Sequence, residues 1–69
     1  MTQHQLILAH IDTYGSISPL EAFLEYGITK LATRISELRR KGHMIIKVRE
    51  EGKNRFGHKI HYMRYRRAA

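Results

Sequence analysis

The sequence predicts an α+β domain in which three short helices are followed by a two-stranded β-hairpin. Apolar residues recur with the helical period as far as Lys41, and the pattern then changes to the alternation typical of β-strands. Gly15, Gly27 and Gly42 divide the helical part into three segments, because glycine commonly ends a helix. The 69 residues, 1–69, have the length of one domain.

The first helix is predicted over residues 3–14. Thr2 can cap its start, and Gln5 stands three residues later, where it completes a capping box. Gly15 then ends the helix. We expect three apolar side chains of this helix to face the core: Leu6, Ile7 and Ile11.

The second helix is predicted over residues 19–25. Ser18 is a suitable N-cap, and Pro19 takes the first helical position, where a backbone N–H is not needed. Glu21 can reach back to the cap. We expect the buried face of this helix to consist of Leu20, Phe23 and Leu24.

The third helix is predicted to begin at Thr29, as N-cap, and to run to Lys41, so that it covers residues 29–41. Gly42 follows as the terminating residue. Its apolar residues fall on one stripe, which we expect to face the core: Leu31, Ile35 and Leu38.

Two β-rich segments, residues 44–49 and 59–65, predict the hairpin. The intervening residues 51–58 contain two glycines and an asparagine and are expected to form its loop. Phe56 in this loop can either wedge at a ligand or fold back onto the hairpin, and we expect the latter.

This order of elements is the layout of a winged helix, with a helix-turn-helix formed by the second and third helices. In that motif the second of the two helices enters the DNA major groove. Arg34 suits a bidentate contact with guanine, whereas Glu37 can either accept from cytosine or orient Arg34 or Lys41. The predicted contacts on this helix are Thr29, Lys30, Thr33, Arg34 and Glu37.

The hairpin loop is the predicted wing. Its basic and amide side chains suit either the phosphate backbone or a narrow minor groove, where negative potential is concentrated. We expect Arg55 to be the residue that enters a minor groove. The predicted wing contacts are Lys53, Asn54, Arg55, His58 and Lys59.

Charge is distributed very unevenly along the chain. The net charge is +7, yet residues 1–29 carry only the three acids Asp12, Glu21 and Glu25 and no Lys or Arg. All 13 Lys and Arg residues lie in residues 30–69. Such a one-sided positive charge attracts a polyanion and favours double-stranded DNA as the partner.

Other functional classes have little support in the sequence. Cysteine is absent, which excludes disulfides and thiolate zinc ligands. His58 and His61 would lie on opposite faces of a strand, and no nucleophile stands beside a base and an acid. We expect no enzymatic activity, no metal and no cofactor, no membrane span, and a cytoplasmic protein of a bacterial host cell that is nucleoid-associated when bound.

Three segments resemble one known family. They are Gly15–Ala22 (GSISPLEA), Tyr26–Ile28 (YGI) and Leu31–His43 (LATRISELRRKGH). Together they resemble the small winged helix-turn-helix proteins of bacteriophages and prophages, over roughly residues 3–48. The resemblance implies DNA binding, as a transcriptional regulator or as an excisionase-like factor in DNA recombination.

Several alternatives remain open from the sequence. A winged helix can also bind a partner protein, such as a host factor that it inhibits. RNA binding is a third possibility, supported only by Tyr62 and Tyr65. One such module contacts little DNA, so self-association or cooperative loading on DNA is also expected.

Overall fold

The predicted order of three helices and a hairpin is confirmed in the computed structural model, which describes residues 1–68. The helices are α1 (Gln3–Tyr14), α2 (Pro19–Tyr26) and α3 (Leu31–Arg40). The strands are β1 (Ile45–Lys53) and β2 (Lys59–Arg67).

The first two helices begin at the predicted capping boxes. The Thr2 hydroxyl accepts from the backbone N–H of Gln5 at 3.2 Å, and the Gln5 side chain accepts from the Thr2 N–H at 2.8 Å. Ser18 and Glu21 make the same reciprocal pair, at 3.1 and 2.9 Å. These bonds satisfy N–H groups that a helix start otherwise leaves without partners.

The predicted start of α3 at Thr29 is wrong. The helix begins at Leu31, its N-cap is Lys30, and no side chain caps it. Ile28, one residue before Thr29, is only 1% exposed, and Lys30 has a non-helical backbone with φ of −122° and ψ of 58°. Anchoring Ile28 in the core therefore leaves Thr29 and Lys30 in the connection before the helix. Its end at Arg40, with Gly42 two residues beyond, lies one residue short of the predicted Lys41.

All five elements, together with Ile17 and Ile28, contribute to one hydrophobic core. Leu6 is half-buried rather than part of this core, whereas the predicted stripe of α3 is fully within it. The buried apolar residues are Ile7, Ile11, Ile17, Ala22, Ile28, Leu31, Ile35, Leu38, Ile45 and Tyr65.

The predicted buried face of α2 is wrong. Leu20, Phe23 and Leu24 are 65%, 54% and 69% exposed, and Ala22 is the buried apolar residue of this helix. The small Ala22 side chain lets α2 lie close to the core, and Tyr26 packs against the core's edge. The three larger side chains therefore point away from it.

The hairpin is longer and its loop shorter than predicted. The antiparallel register runs from Ile45 opposite Arg67 to Lys53 opposite Lys59, so the loop comprises residues 54–58 rather than 51–58. The prediction that Phe56 folds back onto the hairpin is wrong, since this loop residue is 82% exposed.

The hairpin is joined to the helical part by a short β-bridge. Ile17 pairs with Tyr65 through two backbone hydrogen bonds of 2.9 and 2.8 Å.

Candidate nucleic-acid interface

The solvent-facing side of α3 is set by its buried stripe. Successive helical residues are rotated by about 100°, so the side opposite the stripe carries Thr33, Ser36 and Arg40. All three are exposed, as are Thr29 and Lys30 just before the helix. Sequence reasoning missed Ser36 and Arg40 as contacts, although projecting the three core positions onto a helix would have indicated both.

Arg34 lies on the flank of α3 and is only partly accessible. Its side chain is 31% exposed, and its Nη1 lies 3.3 Å from the Glu37 carboxylate. Its Nε is buried without a hydrogen-bond partner among the described residues. Arg34 also lines, with Thr2, Gln3 and His4, a depression of about 190 Å³ at the start of α1. The guanidinium therefore does not project straight out of the helix.

Glu37 is held by residues on two helices. Its Oε1 lies 2.7 Å from Nε2 of His4, and Nδ1 of His4 lies 3.2 Å from the Lys41 ammonium. Because an ammonium only donates, this contact favours the tautomer in which His4 donates to Glu37 from Nε2. The hydrogen bond from His4, together with the charge of Arg34, holds the pKa of Glu37 below its ordinary value. Glu37 thus lies beside Arg34, as a role in orienting that residue requires, whereas Lys41 contacts His4.

The hairpin loop is shaped by Asn54. Its side-chain oxygen accepts from the backbone N–H groups of Phe56 and His58, each at 3.0 Å. Gly57 closes the turn with φ of 79°, a conformation that glycine adopts without steric cost. The side-chain carbonyl of Asn54 therefore accepts hydrogen bonds within the turn. The remaining predicted wing residues are all exposed: Lys53, Arg55, His58 and Lys59.

The hairpin carries two further cations that sequence reasoning missed. Side chains alternate along a strand, so Lys47 and Arg49 share the face of β1 on which Ile45 is buried beneath the helices. Both are exposed, beyond the edge of the core. Counting alternate positions outward from Ile45 would have placed them on this face.

Two of the three acidic residues of the first third of the chain contact β2. Asp12 binds Arg67 and Glu21 binds Arg64, each at 2.6 Å. The hydrogen bond from Arg67 holds the pKa of Asp12 below its ordinary value. Burial opposes the charged form of Glu21, but the hydrogen bonds from Arg64 and Ser18 outweigh it, so its pKa is lowered as well.

Most of the positive charge is left without such partners. Only three arginines form ion pairs with carboxylates, so ten of the 13 Lys and Arg side chains form none within residues 1–68. They lie in two regions, the start and end of α3 and the hairpin: Lys30, Arg39, Arg40, Lys41, Lys47, Arg49, Lys53, Arg55, Lys59 and Arg66. Counterion release from a polyanion would be largest along these regions.

The model of one family, the winged helix-turn-helix domain, matches residues 2–66. The chain belongs to this family, whose fold is typical of DNA-binding domains rather than of enzymes. No curated protein and no solved structure matches the chain. None of the described helices combines the length and the apolar composition that a membrane crossing requires.

Proposed function

We propose that the protein binds double-stranded DNA sequence-specifically, with α3 in the major groove and the hairpin loop on the backbone or in the minor groove. The observation that carries this proposal is the series of unpaired cations on α3 and the hairpin, within a winged helix-turn-helix fold. Two of the three acids of residues 1–29, Asp12 and Glu21, pair with arginines of β2 and not with the cations of α3.

In this proposal the start of α3 reads bases, as in other helix-turn-helix domains. Lys30 and Thr33 stand at this end and are exposed, and Thr29 precedes them. Thr33 can donate to or accept from a base edge, or contact a thymine methyl. Arg34 contacts guanine in this proposal, and Glu37, whose carboxylate lies 3.3 Å from Nη1 of Arg34, orients that guanidinium rather than reading a base itself.

The rest of the surface binds phosphates in this proposal. Ser36 lies in the middle of the outward face of α3, and Arg40 in its last turn reaches the backbone. On the hairpin, Lys47 and Arg49 extend the contact towards the loop. Lys53, Arg55, His58 and Lys59 then bind the backbone or the minor groove, and Asn54 maintains the shape of the turn that presents them.

The experiment selects bound sequences from random duplexes and then measures affinity for selected and random DNA at two salt concentrations. Arg34→Ala is expected to reduce the preference for selected DNA by about 1–3 kcal/mol. Lys53→Ala is expected to weaken binding to both DNAs alike and to reduce the salt slope by about one.

Thr33→Ala should also reduce the preference for selected DNA, and Thr13→Ala is its matched control, since Thr13 is an exposed threonine at the far end of α1. If Arg34→Ala and Thr33→Ala weaken selected and random DNA equally, α3 does not read bases. If the unaltered chain fails to bind duplex at low salt, the proposal is wrong.

We further propose that the DNA role is that of a phage or prophage regulator or of an excisionase-like factor. The resemblance of residues 15–43 to small phage proteins supports this narrower assignment. A footprint on tandem direct repeats with bent DNA would favour the excisionase-like role. A single palindromic footprint would favour a transcriptional regulator, because operator symmetry mirrors protein symmetry.

A further inference from the structure

The outward side of α2 forms an apolar surface. Leu20, Phe23 and Leu24 are each more than half exposed, although large apolar side chains usually avoid water. The helix packs on the core through Ala22 and Tyr26 instead. An exposed apolar cluster of this kind in a small domain marks an interaction site.

This surface continues into a groove between the start of α2 and the hairpin. The groove has a volume of about 720 Å³ and is mainly apolar, with Pro19 and Leu20 on one side and Ile60, Tyr62 and Met63 on the other. Ile60 and Tyr62 are 41% and 38% exposed. Residues 60 and 62 point to the opposite face of β2 from the buried Tyr65, because side chains alternate along a strand.

The two sides of the groove carry opposite charge. Glu21 of α2 and Arg64 of β2 already pair with each other, and Arg67 pairs with Asp12. Glu25 on α2 and Arg66 on β2 are exposed and form no ion pair within residues 1–68. A partner that offers both an apolar acidic helix and an apolar basic strand would complement both sides at once. A second copy of the same chain offers this combination, since the same patch on both copies makes a closed two-fold contact.

We propose that this α2–β2 surface is the contact between two copies of the chain, with α2 of each copy lying in the groove of the other. A stable contact buries about 800 Å² on each partner, roughly a sixth of the 5082 Å² of accessible surface here.

The contact leaves the proposed DNA-binding residues uncovered. Neither the groove nor the outward side of α2 includes Thr33, Ser36 or Arg40, or the loop residues 54–58. A dimer would therefore present two copies of α3, which suits two half-sites on DNA. Only this last consequence rests on the proposed function, because the contact itself needs no DNA.

The test is sedimentation velocity of the full chain across the micromolar range, without DNA and then with duplex. The unaltered chain is expected to sediment as a dimer. Leu24→Glu is expected to raise the dimer dissociation constant at least about tenfold, because a carboxylate would be buried in the contact. Met44→Glu is the matched control, since Met44 is 72% exposed and lies outside the surface.

Circular dichroism of both variants establishes that they fold. A monomeric unaltered chain, with and without duplex, overturns the proposed contact, and so does an equal loss of association in Leu24→Glu and Met44→Glu. A dimer that fails to bind duplex would overturn the proposed function and leave the contact standing. A Leu24→Glu monomer that still binds a single half-site with an unchanged salt slope would support both.

Discussion

The helices α2 and α3 carry similar apolar stripes and use them in opposite ways. The stripe of α3, Leu31, Ile35 and Leu38, is at most 3% exposed. Leu20, Phe23 and Leu24 of α2 are at least 54% exposed, and the helix packs through the small Ala22 and through Tyr26 at its end. Helical spacing of apolar residues therefore identifies an apolar face, but it does not show whether the core of the same chain buries that face.

The largest expected effect is on stability, and it is measured by replacing a leucine with alanine once in α3 and once in α2. Leu38→Ala should lower the free energy of unfolding by about 2–5 kcal/mol, because Leu38 is 1% exposed and its loss leaves a cavity. Leu24→Ala should change it by less than about 0.5 kcal/mol, because Leu24 is 69% exposed. Urea unfolding at a concentration where the chain is monomeric measures both. Similar losses at the two positions would contradict the exposed position of Leu24.

An intermediate effect on stability is expected at the starts of α2 and α3, because a side chain caps α2 and none caps α3. Ser18→Ala should cost about 1 kcal/mol, because the Ser18 hydroxyl caps α2. Thr29→Ala should cost less than about 0.5 kcal/mol, because no side chain caps α3. Thermal unfolding of the two variants is the measurement. A loss at Thr29 as large as that at Ser18 would show that Thr29 caps α3 after all.

The smallest effect concerns pH and the carboxylate that joins α2 to the hairpin. Because folding lowers the pKa of Glu21, its contribution to stability is present above its unfolded pKa of about 4.3 and is lost as the pH falls through the lower folded value. Glu21→Gln should therefore make the unfolding free energy fall less steeply between about pH 5 and pH 2. Glutamine keeps a capping side chain at this position. An unchanged pH profile would contradict the lowered pKa.

Local signals predicted the elements well. The capping boxes at Thr2 and Ser18, and the glycines that end α1 and α2, act between residues close in sequence, so their patterns are visible in the chain. The core positions of α3 follow in the same way from its spacing. The start of α3 was misplaced because the burial of Ile28, a tertiary contact, overrode the capping preference of Thr29.

The candidate site was only partly predictable for the same reason. Exposure of Lys30, Thr33 and the basic loop residues follows from local pattern. The partners of Arg34 do not, because His4 reaches Glu37 from a position 33 residues away. The charge pairing of Asp12 and Glu21 with β2 joins residues still further apart, so no sequence window contains both members.

The two hydrogen bonds between Ile17 and Tyr65 join the helical part to the hairpin, so they affect how α3 and the hairpin loop are placed relative to each other. Ile17 immediately precedes the cap of α2, and Tyr65 lies near the base of the hairpin, so this short bridge fixes the angle between helices and hairpin. In the proposed complex with DNA, the distance between α3 and the hairpin loop would then stay constant. Groove width, as well as base sequence, would decide where it binds.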